Sequence, residues 1–180
     1  EALAKRARKG TGPLAVLHPF ATHAAKAWPM ECWRGLVARL DAAGWDWCCI
    51  GRDSGEHPQW FRDLPQDRNQ VNKLTLRQSL ALMAAADVAA TGDSGPLHLA
   101  RGVNTPVAAL FGPTDRAWGF YPDSEEGVAI EQDLGCRPCS LHGAGKCERG
   151  LACMAGIEVD EVFEAMQGLV SGDGVKPGGQ

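Results

Sequence analysis

The sequence predicts an α/β fold, a parallel sheet covered by helices on both faces, and three observations carry that expectation. Short apolar runs of strand length alternate with amphipathic stretches of helix length. Runs such as "LAVLH" at 14–18 and "VAALFG" at 107–112 are continuously apolar, as in strands buried on both faces. At 180 residues and 44% hydrophobic, the chain can bury one core in one domain.

The elements follow in order. "LAVLH" ends at Pro19, which suits a buried strand leading into a loop. After Pro29, "ECWRGLVARLDAAG" spaces Trp33, Leu36, Val37 and Leu40 three and four apart and stops at Gly44, so it reads as a helix. "WDWCCIG" is the next strand, "GEHPQWFRDL" a loop with a short helix, and "QVNKL" at 70–74 a further short strand. Thr75 suits the cap of a helix over 76–86, with Leu80, Met83 and Ala84 inward. "DVAAT" is a strand, "GPLHLARG" a helix beginning at Pro96, "VAALFG" a strand and "VAIEQ" another. A final helix covers "VDEVFEAMQGLV", where Val159, Val162, Phe163 and Met166 recur at helical spacing. Strand and helix alternate as in a Rossmann-like domain over 13–171, with a linker at 1–12, a cysteine-rich loop at 135–154 and a flexible Gly-rich tail at 172–180.

Lys plus Arg number 18 against 22 Asp plus Glu, so the chain lacks the basic surface that phosphate neutralisation would need, and a nucleic-acid partner is not expected. The longest apolar stretch, "SLALMAAADVAA", is too short to span a bilayer. "EALAKRARKG" does not resemble a signal peptide, because no hydrophobic run follows its basic residues. The seven cysteines, an odd number, suit a reducing compartment, and the expectation is a soluble, cytoplasmic protein. Cys48 and Cys49 are adjacent in a strand and read as small core residues facing opposite ways.

Chemistry concentrates at "TGDSGPLHLA". In an open parallel sheet, ligands collect beyond the carboxyl ends of the strands, where helix N-termini point. Gly92 and Gly95 let the backbone approach a ligand, and Pro96 suits the first helical position. The free amides there favour an anion, Ser94 adds a hydroxyl, and His98 lies in the first turn. Alternatively, Asp93 and Ser94 serve only as helix caps. A second stretch, "HPFATHAAKAWP" at 18–29, follows the first strand and offers Thr22, His23 and Lys26 at the same edge. A cationic loop and an amide-rich loop at one sheet edge suit a diphosphate, although Lys26 taken singly reads as a surface lysine.

"HPFATHAAKAWPMECWRGLVARL", "TLRQSLALMAAADVAATGDSGPLHLA" and "PVAALFGPTD" resemble, in order and spacing, the C-terminal half of the family 9 glycosyltransferases, the lipopolysaccharide heptosyltransferases. The resemblance covers roughly residues 13 to 165. It implies one half of a GT-B enzyme, in which two Rossmann-like domains face each other across a cleft. The half seen here would hold the nucleotide-sugar donor, typically ADP-heptose, and no metal is needed for transfer. Carried over by position, Thr22 and Lys26 would hold the donor's phosphates, with Lys26 stabilising the leaving group. Asp93, Ser94, Gly95 and His98 would contact the diphosphate or the sugar hydroxyls, Asp93 suiting hydroxyls better because a carboxylate repels phosphate. Residues Gly51 to Glu56 and Leu74 to Thr75 would flank the nucleoside.

The resemblance also implies partners. The acceptor would be the lipopolysaccharide core at the inner membrane face, and the acceptor site and general base would lie in an N-terminal domain missing from this chain. The chain alone is then expected to bind donor and transfer little. Ala21, Ala27, Arg101 and Asn104 depart from the family pattern, which bears on the donor's identity more than on the fold.

Cys136, Cys139, Cys147 and Cys153 put four thiols in eighteen positions, beginning with a CxxC. Such a set suits a tetrahedral zinc site, with His142 able to replace one thiol; the other reading is structural cysteines, free or disulfide-linked. The alternative to a transferase half is a stand-alone nucleotide- or metal-binding interaction module without catalysis.

Overall fold

The computed structural model describes residues 7–53, 60–139 and 147–172. The sheet consists of β1 (Leu14–His18), β2 (Asp46–Cys49), β3 (Val88–Gly92), β4 (Val107–Phe111) and β5 (Gly127–Glu131). All four strand pairings are parallel, in the order β2-β1-β3-β4-β5. The helices are α1 (Met30–Ala42), α2 (Trp60–Asp63), α3 (Leu76–Met83), α4 (Gly95–Gly102), α5 (Ala152–Ala155) and α6 (Val159–Ser171). Short 3-10 turns cover Ala24–Lys26 and Arg116–Trp118.

Because successive side chains of a strand point to opposite faces, each strand feeds two separate cores. Ala15, Leu17, Cys49, Ala90, Ala108 and Leu110 pack with Trp33, Leu36 and Leu40 of α1 and Val162, Phe163 and Met166 of α6. Leu14, Val16, Cys48, Ala89, Ala109 and Phe111 pack on the other side with Leu82 and Met83 of α3 and Leu97 and Ala100 of α4. Helices therefore cover both faces, as the alternation of elements implies. Cys48 and Cys49 divide between the two cores as expected, and burial pushes the Cys48 thiol up to about 12.

The inward set of α1 is the expected Trp33, Leu36, Val37 and Leu40. α3 carries the expected cap: the Gln78 amide donates to Thr75 Oγ1 at 3.3 Å while the Thr75 amide donates to Gln78 Oε1 at 2.8 Å, a capping box. The helix stops at Met83, which is buried as expected; Leu80 is half-buried, Leu82 is buried in addition, and Ala84, expected inward, is exposed beyond the helix end.

Residues 70–74 do not form the expected strand. The chain meets β2 in a single bridge, Cys49 with Asn69, and then turns away through Asn72 at φ 60°. Asparagine tolerates that left-handed geometry, and the turn ends the pairing. Residues 7–12, expected as a linker, lie against the domain: the Lys9 and Gly10 amides both donate to Asp46 Oδ2 at 2.8 Å, and Ala7 is buried. Most of the expected tail, 173–180, lies outside the described residues. Among the described residues no helix is long and apolar enough to cross a membrane.

Candidate functional site

The strand order changes direction between β1 and β3, which makes the crevice beyond their carboxyl ends the natural ligand position of such a sheet. His18 and Thr91 pair in register there. From β1 the chain passes through Pro19 and Phe20 into the Ala24–Lys26 turn, which folds across the end of β3. A Cβ on Gly92 would stand 3.2 Å from the Lys26 carbonyl oxygen, so the missing side chain lets the turn lie close.

The turn delivers Lys26 to Asp93. Its Nζ donates to Asp93 Oδ2 at 2.6 Å, and the Thr114 hydroxyl, from the loop after β4, donates to the same oxygen at 3.0 Å. Side-chain exposure is 13% for Lys26 and 6% for Asp93, so solvent screens the pair little. The ammonium has three donors, of which Asp93 takes one.

A second cluster sits beside it. The Ser94 and Thr91 hydroxyls donate to the Gly92 carbonyl at 3.2 and 3.1 Å, and both hydroxyl oxygens face His18 Nδ1 at 3.4 and 3.2 Å. With both hydroxyl protons directed to Gly92, the Nδ1–H tautomer completes the network. Burial lowers the His18 pKa to about 4, so the ring is neutral at physiological pH. Ser94 stands at the N-cap of α4, but its side chain makes no capping bond. The reading of Asp93 and Ser94 as mere helix caps therefore fails: one is ion-paired and the other is turned back into the strand ends. The N-terminus of α4, with its proline in the first turn, keeps its leading amides uncapped by that hydroxyl.

The remaining candidates are more dispersed. Thr22 is exposed in the bend before the turn, and Gly95 is exposed as the first residue of α4. His98 is exposed and meets Phe120 edge-on, ring centroids 6.1 Å apart, on the side toward the loop after β4. Gly51 packs over the His18 ring; Ser54 to Glu56, the rest of the expected nucleoside flank, lie outside the described residues. Leu74 is half-buried and Thr75 is committed to capping α3. An apolar hollow of about 320 Å³ lies between Ala24, Trp28, Leu151 and Met154; among the described residues no charged one lines it.

The family model described as glycosyltransferase family 9 (heptosyltransferase) matches residues 1–143. The chain belongs to glycosyltransferase family 9. It is 30% identical over 121 residues to lipopolysaccharide heptosyltransferase 1 of Pseudomonas aeruginosa, covering 66% of this chain and 34% of that protein. Among solved structures, the ADP-heptose lipopolysaccharide heptosyltransferase II of Escherichia coli matches with a TM-score of 0.73 at 21% identity, over 96% of this chain and 52% of that one. The dodecameric, iron-containing heptosyltransferase TibC of enterotoxigenic E. coli, solved with ADP-D-β-D-heptose, matches with a TM-score of 0.71 at 22% identity, over 92% and 47%. At these identities the structural likeness speaks to the fold, which is that of GT-B heptosyltransferases. The chain spans about half the length of these solved chains, and its match covers about a third of the curated relative.

For this family 9 chain the expected zinc site is not supported. Among the described residues no three His, Cys, Asp or Glu side chains are grouped to hold a metal ion. Cys136 is half-buried, Cys139 exposed and Cys153 buried, and all seven cysteines are free. Cys147 Sγ instead accepts from the amides of Arg149 and Leu151 at 3.4 and 3.3 Å, and Cys153 belongs to the core under α1 and α6. His142 lies outside the described residues.

Sequence reasoning passed over His18, Thr91 and Thr114. His18 and Thr91 looked like strand termini, and Thr114 like part of a loop. The available signal was position: each stands at or just beyond the carboxyl end of a strand, where Lys26 and Asp93 were sought.

Proposed function

We propose that this chain is the donor-binding half of a heptosyltransferase-like glycosyltransferase, one that transfers heptose from ADP-heptose to a lipopolysaccharide core acceptor. The observation that carries the reading is the Lys26–Asp93 pair at the strand-order reversal, next to the N-terminus of α4. A cation, a set of backbone amides and a carboxylate within one crevice match the three parts of the donor's reacting end. The diphosphate takes Lys26 and the amides of Ser94 and Gly95, since Pro96 has none and the Leu97 amide donates to the Ser94 carbonyl. The sugar hydroxyls take Asp93, whose repulsion toward phosphate the ammonium offsets. Thr22, Ser94 and His98 line the approach. The relatives point the same way: the E. coli protein is an ADP-heptose enzyme and TibC was solved with an ADP-heptose.

In transfer, the anomeric carbon–phosphate oxygen bond breaks as an acceptor hydroxyl attacks, and negative charge grows on the departing diphosphate. Lys26 and the amides of α4 stabilise that charge in place, without reorganisation at the moment of reaction. The base that takes the acceptor's proton belongs, in this reading, to the partner domain across the cleft, so the chain alone binds donor and transfers little. An acceptor anchored in lipid would bring the whole enzyme to the inner face of the membrane.

Calorimetry with ADP and ADP-heptose tests the proposal. Wild type should bind either in the micromolar range, and Lys26→Met should weaken binding about tenfold or more, the scale of a lost charge-assisted hydrogen bond. Silence of the wild type with both ligands, or a Lys26→Met variant that binds as well as wild type, refutes it.

A further inference from the structure

The cysteine-rich loop has no role in the reading above, yet it reaches the site through Arg137, the residue after Cys136. The guanidinium spans three backbone carbonyls: Nε donates to Gly112 O at 2.5 Å, Nη1 to Gln132 O at 2.6 Å and Nη2 to Thr114 O at 3.1 Å. Nη2 also meets Glu131 Oε2 at 2.5 Å and the Tyr121 hydroxyl at 3.2 Å. The Cys139 amide donates to Pro113 O at 3.1 Å. The carbonyls of Gly112, Pro113 and Thr114 are thus all held by the stretch from Arg137 to Cys139.

These three residues are the loop that carries Thr114 to Asp93. The Thr114 hydroxyl and the Lys26 ammonium share Asp93 Oδ2, so the position of that oxygen, and of the ammonium bonded to it, depends on where the 112–114 backbone is fixed. A planar fork presents donors on several edges toward carbonyls of two segments, whereas a lysine in its place offers its donors from a single nitrogen. Glu131 braces the fork from its far side, and the Tyr121 hydroxyl donates to that carboxylate. Burial and that carboxylate push the Tyr121 pKa well up, so it remains a donor across the working pH range.

We propose that Arg137 is a positioning residue for the candidate donor site: it fixes the 112–114 loop so that Thr114 sets Asp93 and, through it, Lys26. The ligand readout of this inference rests on the donor-binding reading; its geometric readout does not.

The test uses Arg137→Lys in the whole chain, with Tyr121→Phe as control for a perturbation of the cluster that leaves the carbonyl clamp intact. In threonine-methyl NMR of the free chain, Arg137→Lys should shift the Thr114 methyl while Thr91 stays put, and Tyr121→Phe should shift neither. In calorimetry, Arg137→Lys should weaken ADP binding about tenfold, a loss comparable to one good hydrogen bond to a charged group. In a Thr114→Val background the same substitution should cost under about twofold more, because the route is already cut. A folded Arg137→Lys with an unmoved Thr114 methyl, or a loss that adds in full to that of Thr114→Val, overturns the proposal. Arg137→Gln replaces the lysine variant if the latter does not fold. If wild type ignores ADP, the donor reading falls, and the Thr114 methyl still decides whether Arg137 positions that residue.

Discussion

His18 shows how much one buried side chain commits this site. It is the last residue of β1, 8% exposed, and its Nδ1 is enclosed by the Thr91 and Ser94 hydroxyls. The native state refuses a proton that the unfolded chain accepts at the ordinary histidine value, so stability contributed by the neutral ring is whole above about 6.5 and declines as pH falls toward about 4. Chemical denaturation at a series of pH values should show wild type losing about 3 kcal/mol more than His18→Asn across that window, on the scale of 1.36 kcal/mol per pH unit. Equal slopes for the two proteins would mean that the ring is not held neutral. Nothing in the sequence announced this, because His18 and Thr91 are 73 positions apart and meet only when β1 pairs with β3. Lys26 and Asp93 were legible as candidates by the chemistry of their types, but their direct pairing was not. That contact depends on a turn crossing the end of β3, a geometry that periodicity does not encode.

Among the elements, β5 tests how tightly the sheet specifies its own edge. Gly127 opens the strand beside Val107, and a Cβ placed there would lie 2.1 Å from the Val107 carbonyl oxygen and 2.8 Å from its Cγ1. Backbone cannot step aside as a flexible side chain can, so Gly127→Ala should destabilise the fold by about 2 kcal/mol or more, read as a lower urea midpoint at unchanged slope. An unchanged midpoint would show that β5 can slide on β4 without cost. The five strands were readable because a parallel sheet buried on both faces favours short apolar runs, although the longest apolar stretch, residues 79–90, is shared between α3 and β3. "QVNKL" failed for the complementary reason. Only Val71 and Leu74 of its five residues are apolar, too few for a strand buried on both faces, and beside β2 the chain forms one bridge, Asn69 with Cys49, before turning through Asn72. The inward stripe of α1 was legible in full and that of α6 in Val162, Phe163 and Met166, with Val159 only half-buried and Ala165 buried beside them, because long, regular stripes face a flat sheet, while α3, just over two turns long, has an inward face set by its cap and its early stop.

At the scale of the whole molecule, the carboxyl edge of the sheet gathers what the sequence scatters: the end of β1, the Lys26 turn, the start of α4 and the 112–114 loop. The family was legible from three blocks in register, and those blocks are the segments that meet at this edge. The cysteine-rich loop was not legible. Spacing allowed a metal site or structural cysteines, whereas among the described residues the loop's visible work is done by Arg137 and the Cys139 amide on the backbone of the Gly112–Thr114 segment.

The sheet is also a partition. Leu40 lies in the core under α1 and α6, Leu97 in the core under α4, and the two cores share strands without sharing side chains. Damage done on one side should leave the other side's packing untouched. Leu40→Val and Leu97→Val, each costing about 1 kcal/mol, should therefore sum in the double variant to within about 0.5 kcal/mol when measured by urea unfolding. A shortfall or excess well beyond that would mean that strain passes through the strand backbones from one layer to its opposite, and that the wall between them is elastic rather than rigid.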